Sequence, residues 1–208
     1  MSAAMRTPWI VGVSGASGTP YAKAVITGLL DAGEPVDLVV SRAARLTILD
    51  ETGLSFRDSH WAEDLATWLG RDIGDTAYWS SGDLAAGPSS GSYPTQGMVV
   101  VPASTAAVAG IALGLSKDLL QRAADVTLKE RRPLVVVPRE TPLTGSTLRH
   151  LVALDDAGAV VLPASPGFYA GARDVQQLVD FVAGKVLDVL GVKHDLITRW
   201  TGELGQAR

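Results

Sequence analysis

The chain has 208 residues, of which 47% are hydrophobic and 19% charged, and its formal net charge is −4. This composition predicts a folded domain that buries much of its surface, and it excludes disorder over most of the length. The negative net charge disfavours non-specific binding to nucleic acid, which requires a basic surface. The longest apolar runs are strand-sized rather than the ~20 residues of a membrane helix, so we expect no membrane partner.

Cysteine is absent from the sequence, which excludes disulfides, a thiolate nucleophile and a cysteine-based metal site. The three histidines are His60, His150 and His194, and no two of them have the i, i+4 spacing of a helical zinc site. We therefore expect no metal. The N-terminus lacks the long apolar stretch of a signal peptide, so a cytoplasmic location is the default expectation.

Short apolar runs alternate with helical patterns along the whole chain. In chain order, the patterns predict strand Trp9–Ser14, helix Thr19–Ala32, strand Val36–Val40, helix Arg42–Glu51, helix His60–Leu69, strand Thr76–Trp79, strand Met98–Pro102, helix Ser104–Leu115, helix Lys117–Glu130, strand Pro133–Pro138, helix Gly145–Asp156, strand Ala159–Pro163 and helix Asp174–Leu190. Continuous apolar strands separated by helices are typical of a parallel sheet covered on both faces. The sequence therefore predicts a single doubly wound α/β domain, from which a C-terminal segment over Val192–Arg208 extends.

The segment Ser80–Gln96 interrupts this alternation, because Gly, Ser, Pro and Ala dominate its composition. Composition alone favours a mobile surface loop. A long loop inside a compact domain is, however, often functional. Both interpretations stay open at this point.

Ligands of open α/β sheets bind beyond the carboxyl ends of the strands. The first strand is followed by the small residues Ser14–Gly18, which let a ligand approach the backbone, and by a helix N-terminus that offers N–H groups to an anion. The glycines give G-x-x-G-x-x-G, and the second strand ends at Ser41 and Arg42 instead of the acid typical of NAD sites. This pattern favours a mononucleotide such as FMN, and a tight turn without a ligand is the alternative.

Charged residues follow or flank the later strands. Arg122 and Lys129 lie seven residues apart on one face of a predicted helix, with Asp125 beside them. Two such cations can clamp a phosphate, although a solvated face with local ion pairs is the alternative. Arg139 and Glu140 directly follow a buried strand, so Arg can bind phosphate or flavin oxygens and Glu can move a proton, unless they form a structural pair.

Two aromatic residues and a lysine complete the candidate groups. Tyr169 follows the last predicted strand and offers a hydroxyl to a phosphate, while Lys185 on the long helix offers a point charge. Trp200 near the C-terminus is expected to cover a neighbouring surface or a ligand, and simple packing is the alternative.

Taken together, these segments resemble the UbiX-type flavin prenyltransferases from about Ile10 to Trp200. The most specific stretch is Arg122–Leu143, and the supporting pieces are Gly15–Gly18, Gly91–Ser92, Pro163–Tyr169, Asp180–Phe181 and Arg199–Trp200.

The resemblance implies a three-layer, Rossmann-like domain of flavodoxin type over residues 1–208. Its core is expected over about residues 8–190, and residues 191–208 are expected to pack on a neighbouring subunit. It also implies a homododecamer with FMN at the subunit junctions. The implied reaction transfers a dimethylallyl group from dimethylallyl monophosphate to N5 and C6 of reduced FMN, and the prenylated FMN then serves a UbiD-type decarboxylase.

The resemblance also implies site residues. The residues expected to contact FMN are Gly15, Ala16, Ser17, Gly18, Ser41, Ser104, Thr105, Ala106, Ala107, Arg122 and Arg139. The residues expected to bind the prenyl donor are Ser92, Lys129, Arg139, Glu140, Tyr169, Lys185 and Trp200. The residues expected to be catalytic are Ser17, Glu51, Lys129, Glu140 and Tyr169. Among them, Ser17 and Glu51 are expected to assist proton movement at the flavin. An allylic carbon–oxygen bond ionises readily only when the departing phosphate is neutralised, which suits such a cluster.

The sequence departs from the family pattern at a few positions. Ala103 and Ala106 replace a Cys and a Lys of many relatives, Leu84 replaces a Trp, and Lys185 replaces an Arg and loses its bidentate fork. Two other functions are therefore weighed. One is an FMN-binding flavoprotein without prenyl transfer, and the other is a flavin-dependent decarboxylase of the cysteine decarboxylase family, whose expected His and Pro-x-Met-Asn-x-x-Met-Trp segment are absent.

Overall fold

The computed structural model describes residues 6–197 together with 199 and 202. Within them one parallel sheet is formed by β1 (Trp9–Val13), β2 (Val36–Val40), β3 (Thr76–Ser80), β4 (Gly97–Ala103), β5 (Leu134–Pro138) and β6 (Val160–Val161). The strand order is β3-β2-β1-β4-β5-β6. The chain reverses its direction of travel across the sheet between β1 and β4, which creates a topological switch point there.

Helices cover both faces of the sheet. They are α1 (Thr19–Asp31), α2 (Arg42–Thr52), α3 (Trp61–Leu69), α4 (Thr105–Ala112), α5 (Leu119–Lys129), α6 (Gly145–Asp156) and α7 (Val175–Leu190). The buried residues of α1, α2, α3 and α7 share one core with one face of the strands, and those of α4, α5 and α6 share a second core with the other face. The predicted three-layer, Rossmann-like, doubly wound architecture is confirmed.

The two cores follow from strand periodicity. In β1, Val11 and Val13 point into the first core while Ile10 points into the second. Gly12 faces the second layer, where an added Cβ would lie 2.9 Å from Met98 and 3.1 Å from Leu120. A residue without a side chain therefore lets α5 pack closely on the centre of the sheet.

The ends of two elements differ from the sequence prediction. The helix predicted over Ser104–Leu115 ends at Ala112, because Gly114 takes a left-handed φ of 61°. The strand predicted over Ala159–Pro163 shrinks to Val160–Val161, after which only single hydrogen bonds continue along β5. Pro163 lacks an N–H group, which makes a regular ladder harder to extend at this sheet edge.

The segment between β3 and β4 packs on the protein instead of extending into solvent. Ala86, Pro88 and Thr95 are buried within it. Its start receives a hydrogen bond from the N–H of Leu119 to the carbonyl of Ser81 at 2.8 Å. The segment thus packs along α5 and adds Ala86 to the second core.

The described part of the C-terminal segment packs on its own protomer. Val192 belongs to the first core, and Leu196 and Ile197 pack against it. Packing of residues 191–208 on a neighbouring subunit stays a prediction. Among the described helices, none combines the length and apolar character needed to cross a membrane.

Candidate active site

A cavity of about 260 Å³ lies at the switch point, between the carboxyl ends of β1 and β4. Its lining includes the predicted FMN residues Gly15, Ser41, Ser104, Ala106 and Ala107. Ala16, Ser17 and Gly18 belong to the loop after β1, and Thr105 is the first residue of α4. The lining also includes Arg42, Asp118 and Gln121, to which the sequence reasoning gave no role. Their positions at the starts of predicted helices could have indicated that these residues line the site.

Three helices begin at this cavity. Ser41 caps α2 by accepting from the N–H of Ala44 at 3.1 Å, and Ser104 caps α4 by accepting from the N–H of Ala107 at 3.2 Å. Asp118 caps α5 with its own carboxylate. Because the N-terminus of a helix carries partial positive charge, the side formed by α2 and α4 is suited to an anion such as a phosphate.

Arg42 strengthens this preference. It is exposed and lies one residue after the serine that caps α2. Its guanidinium places a full positive charge at the cavity that the two serine-capped helices border. The side of the cavity near Asp118 is less suited to an anion, since that carboxylate already satisfies α5.

Ser14 joins the two loops at the floor of the cavity. Its buried hydroxyl donates to the carbonyl of Pro102 at 2.7 Å and accepts from the N–H of Ser104 at 2.7 Å. Gly15 is required for a different reason, because a Cβ there would collide with Ala43 of α2. The small residues of the first loop therefore bring three chain segments together around a ligand-sized space.

The N-terminus of α1 is occupied by Glu51, from the last turn of α2. Its Oε1 accepts from the N–H of Gly18 at 2.8 Å, and its Oε2 accepts from the N–H of Thr19 at 2.8 Å and from the Thr19 hydroxyl at 2.6 Å. The prediction that this helix offers unpaired N–H groups to a ligand anion is therefore wrong for Gly18 and Thr19. Gly18 has no side chain with which to cap the helix, and the protein supplies its own carboxylate.

The charge of Glu51 is fixed by these partners. Burial alone would raise the pKa of Glu51, but hydrogen bonds from the side chains of Thr19 and Ser17 and from the N–H groups of Gly18 and Thr19 lower it below its ordinary value. The carboxylate is therefore ionised at neutral pH. The Ser17 side chain donates a hydrogen bond to this carboxylate, so Glu51 can accept a proton through the Ser17 hydroxyl.

Arg139 and Glu140 follow β5 at the same edge of the sheet. The Nε of Arg139 donates to the carbonyl of Ser17 at 2.8 Å, so Arg139 ties β5 to the loop after β1. Glu140 is exposed, and its Oε1 accepts from the N–H of Thr141 at 3.1 Å. Among the described ion pairs none joins Arg139 to Glu140, so the structural pair considered above is not formed.

Arg122 and Lys129 lie at opposite ends of α5. Arg122 donates to the carbonyl of Ser89 at 3.1 Å and pairs with Asp125 at 2.8 Å, which is the local ion pair that the sequence allowed. Lys129 pairs with Glu130 and lies beside the backbone of Gly91. The neighbouring Ser92 is exposed and exchanges a hydrogen bond with Ser90.

Within one protomer the predicted phosphate-binding residues do not come together. Lys129 and Ser92 precede strands β5 and β4, whereas Arg139 follows β5. A five-residue strand is about 16 Å long. Within one protomer, Lys129 therefore lies at the amino end of β5 and Arg139 at its carboxyl end.

The remaining predicted residues lie on and near α7. Tyr169 is exposed and packs edge-to-face on Phe181, with ring centroids 5.7 Å apart. Lys185 is exposed, and its Nζ lies 3.5 Å from Asp188. Trp200 lies outside the described residues. No group of three or more His, Asp or Glu side chains suited to a metal occurs in the described part of the chain.

Comparison with known proteins decides the family. Residues 2–187 match the family model described as Flavoprotein. The chain is 71% identical over 212 residues to the flavin prenyltransferase UbiX of Streptomyces coelicolor, and the match covers 97% of this chain and 98% of the relative. The chain belongs to the UbiX family of flavin prenyltransferases.

Two solved UbiX structures share the whole fold. AnUbiX, crystallised in complex with FMN and dimethylallyl pyrophosphate, is 35% identical with a TM-score of 0.84, and the match covers 96% of this chain and 100% of that one. A dodecameric FMN-dependent UbiX-like decarboxylase from Escherichia coli is 38% identical with a TM-score of 0.84, covering 94% of this chain and 100% of the other. The three-layer fold described above is thus the UbiX fold.

Proposed function

We propose that this UbiX protein transfers a dimethylallyl group from dimethylallyl monophosphate to N5 and C6 of reduced FMN. The prenylated FMN is then used by a UbiD-type decarboxylase. The observation that carries the proposal is the switch-point cavity, where the N-termini of α2 and α4 and the charge of Arg42 meet beside small residues in a chain of this family.

The chemistry of the cavity fits FMN. Gly15, Ala106 and Ala107 leave room for a flat ring to approach the backbone, and the α2–α4 side suits the phosphate. Ser41 and Ser104 accept hydrogen bonds at their helices and retain a hydroxyl proton that can be donated to a phosphate oxygen. Reduced FMN, when bound, supplies the nucleophilic N5 and C6 atoms. That AnUbiX was crystallised with FMN supports this assignment.

Release of the phosphate requires positive charge at the donor. Lys129, Arg139 and Lys185 are proposed to supply it, with hydrogen bonds from Tyr169 and Ser92. Because Lys129 and Arg139 lie at opposite ends of β5, they can meet only across neighbouring copies of the chain. We therefore propose a homododecamer, which the dodecameric relative supports. Trp200 is proposed to close the pocket over the isoprenyl chain.

Proton movement is assigned to two carboxyl groups. Glu140 is exposed and has only the N–H of Thr141 as its described partner, so it is free to exchange a proton with the departing phosphate. Glu51 is ionised and accepts from Ser17, which makes this pair a route for a proton lost from the flavin. Arg122 is proposed to help fix the substrates at the flavin.

A second candidate is an FMN-binding flavoprotein without prenyl transfer. Leu84, which stands where many relatives have Trp, is exposed in the segment before β4. An aliphatic side chain offers no π-face to an allyl cation. The cysteine decarboxylase alternative has no comparable observation in its favour. The cytoplasmic location and the absence of a metal stay predictions from composition.

The mass of the flavin separates these candidates. Purified protein is incubated anaerobically with reduced FMN and dimethylallyl monophosphate, and in parallel with the diphosphate. Prenyl transfer predicts a flavin heavier by one C5H8 unit, together with release of one phosphate from the monophosphate donor, or one pyrophosphate from the diphosphate donor, for each flavin converted. FMN that stays bound without a change in mass with either donor would favour the second candidate.

A further inference from the structure

The turn around Gly91 and Ser92 is held by a side chain that has no assigned role, Arg132. This residue follows α5 and precedes β5, and it is partly buried. Its Nη2 donates to the carbonyl of Gly91 at 2.8 Å. Its Nη1 donates to the carbonyl of Tyr93 at 2.9 Å and to the hydroxyl of Thr95 at 3.0 Å. One guanidinium therefore joins three residues of the segment.

A buried carboxylate holds the same segment from the sheet side. Asp37 of β2 is fully buried, and its Oδ2 accepts from the Tyr93 hydroxyl at 2.9 Å and from the Trp79 Nε1 at 2.9 Å. Its Oδ1 pairs with Arg6 at 2.5 Å. Burial and the neighbouring Asp37 raise the pKa of Tyr93 to about 12, so its hydroxyl remains a donor at neutral pH.

These anchors set the distance between the turn and Lys129. An added Cβ on Gly91 would lie 2.7 Å from the Lys129 Nζ and would collide with the carboxylate of Glu130. The backbone of the turn thus lies directly against the Lys129–Glu130 ion pair. A shift of the turn by about one Å would change where Ser92 sits relative to Lys129.

We propose that Arg132 is a positioning residue of the prenyl-phosphate subsite, because it holds the turn of Gly91 and Ser92 beside Lys129 without touching the donor itself. This role rests on the proposed function, in which Ser92 and Lys129 bind the donor phosphate. Arginine is required because its rigid fork reaches carbonyls two residues apart, whereas the single nitrogen of lysine cannot span them with the same geometry.

The test compares Arg132→Lys with Arg131→Lys. Arg131 is exposed, lies next in sequence, and makes no described side-chain contact with the segment, so the same substitution there is a matched control. In Arg132→Lys we expect the Kd of dimethylallyl monophosphate, measured by calorimetry on the FMN-loaded protein, to rise about tenfold or more. The donor KM should rise in parallel while kcat and the FMN Kd change by less than about twofold. Arg131→Lys should match wild type in all four quantities.

A second variant covers the case in which Arg132→Lys fails to fold. Tyr93→Phe removes the hydrogen bond to Asp37 and preserves the ring, and we expect it to raise the donor Kd in the same direction. A folded Arg132→Lys or Tyr93→Phe protein with wild-type donor Kd and KM would overturn the positioning role, even if its stability were reduced. The proposed function fails separately, when the wild-type protein binds the donor but leaves the mass of FMN unchanged.

Discussion

Arg42 lies at the cavity into which the N-termini of α2 and α4 open. If it binds the phosphate of FMN, Arg42→Gln should weaken FMN binding about tenfold, because a charged hydrogen bond to a phosphate is lost. Riboflavin has no phosphate, so its affinity should change little. Fluorescence titration with both flavins measures the difference, with Arg149→Gln on the exposed face of α6 as the control. Equal losses for the two flavins would remove Arg42 from the phosphate site.

Glu140 is assigned proton exchange with the departing phosphate. A glutamine at this position keeps the shape and the contact to the N–H of Thr141 but cannot exchange a proton. We expect Glu140→Gln to lower kcat by about a hundredfold, within the usual range for loss of general acid–base catalysis, and to leave the FMN Kd unchanged. The rate of C5H8 addition and the FMN titration provide the two readouts. Losses of equal size in both would contradict the assigned role.

At the scale of elements, α1 depends on a cap that comes from the end of α2. Glu51→Gln should cost about 1 kcal/mol in the free energy of unfolding at neutral pH, since it replaces a charged cap at a helix N-terminus. The folded-state pKa of Glu51 lies below its ordinary 4.5, so its contribution is present above 4.5 and is lost as the pH falls through the folded value.

Urea unfolding of wild type and Glu51→Gln across this range checks the sign. The two free energies should differ at neutral pH and converge in acid. A difference that stays constant down to low pH would show that the charge of Glu51 does not carry the effect.

The local elements were predictable from the sequence because their signals are local. Continuous apolar runs identified the strands, and the limits of α6 and β2 agree with the pattern at both ends. The Glu51 cap was not predictable, because its partners Gly18 and Thr19 are more than thirty residues away in sequence. The contacts of Arg132 with the turn before β4 have the same character, since they span about forty residues.

At the scale of the whole molecule, the residues of the candidate site are divided between the amino ends and the carboxyl ends of the strands. The family resemblance assigned Lys129, Arg139, Tyr169 and Lys185 to one phosphate clamp, but a motif carries no information on which end of the strands its residues occupy. The bounds of β5 show which end each residue occupies, because Lys129 precedes this strand and Arg139 follows it. A clamp that contains both must therefore be built from more than one copy of the chain.

Complementation between two inactive variants tests this account most directly. Lys129→Ala and Arg139→Ala chains are co-expressed with different tags, and mixed oligomers are purified and assayed for the mass gain of reduced FMN. Each variant alone should be inactive. Random assembly of equal amounts should restore activity at about a quarter of the sites, because a shared clamp draws the two residues from different chains. Mixed oligomers that stay as inactive as either parent would contradict the account, since a clamp built within one chain always carries one of the two lesions.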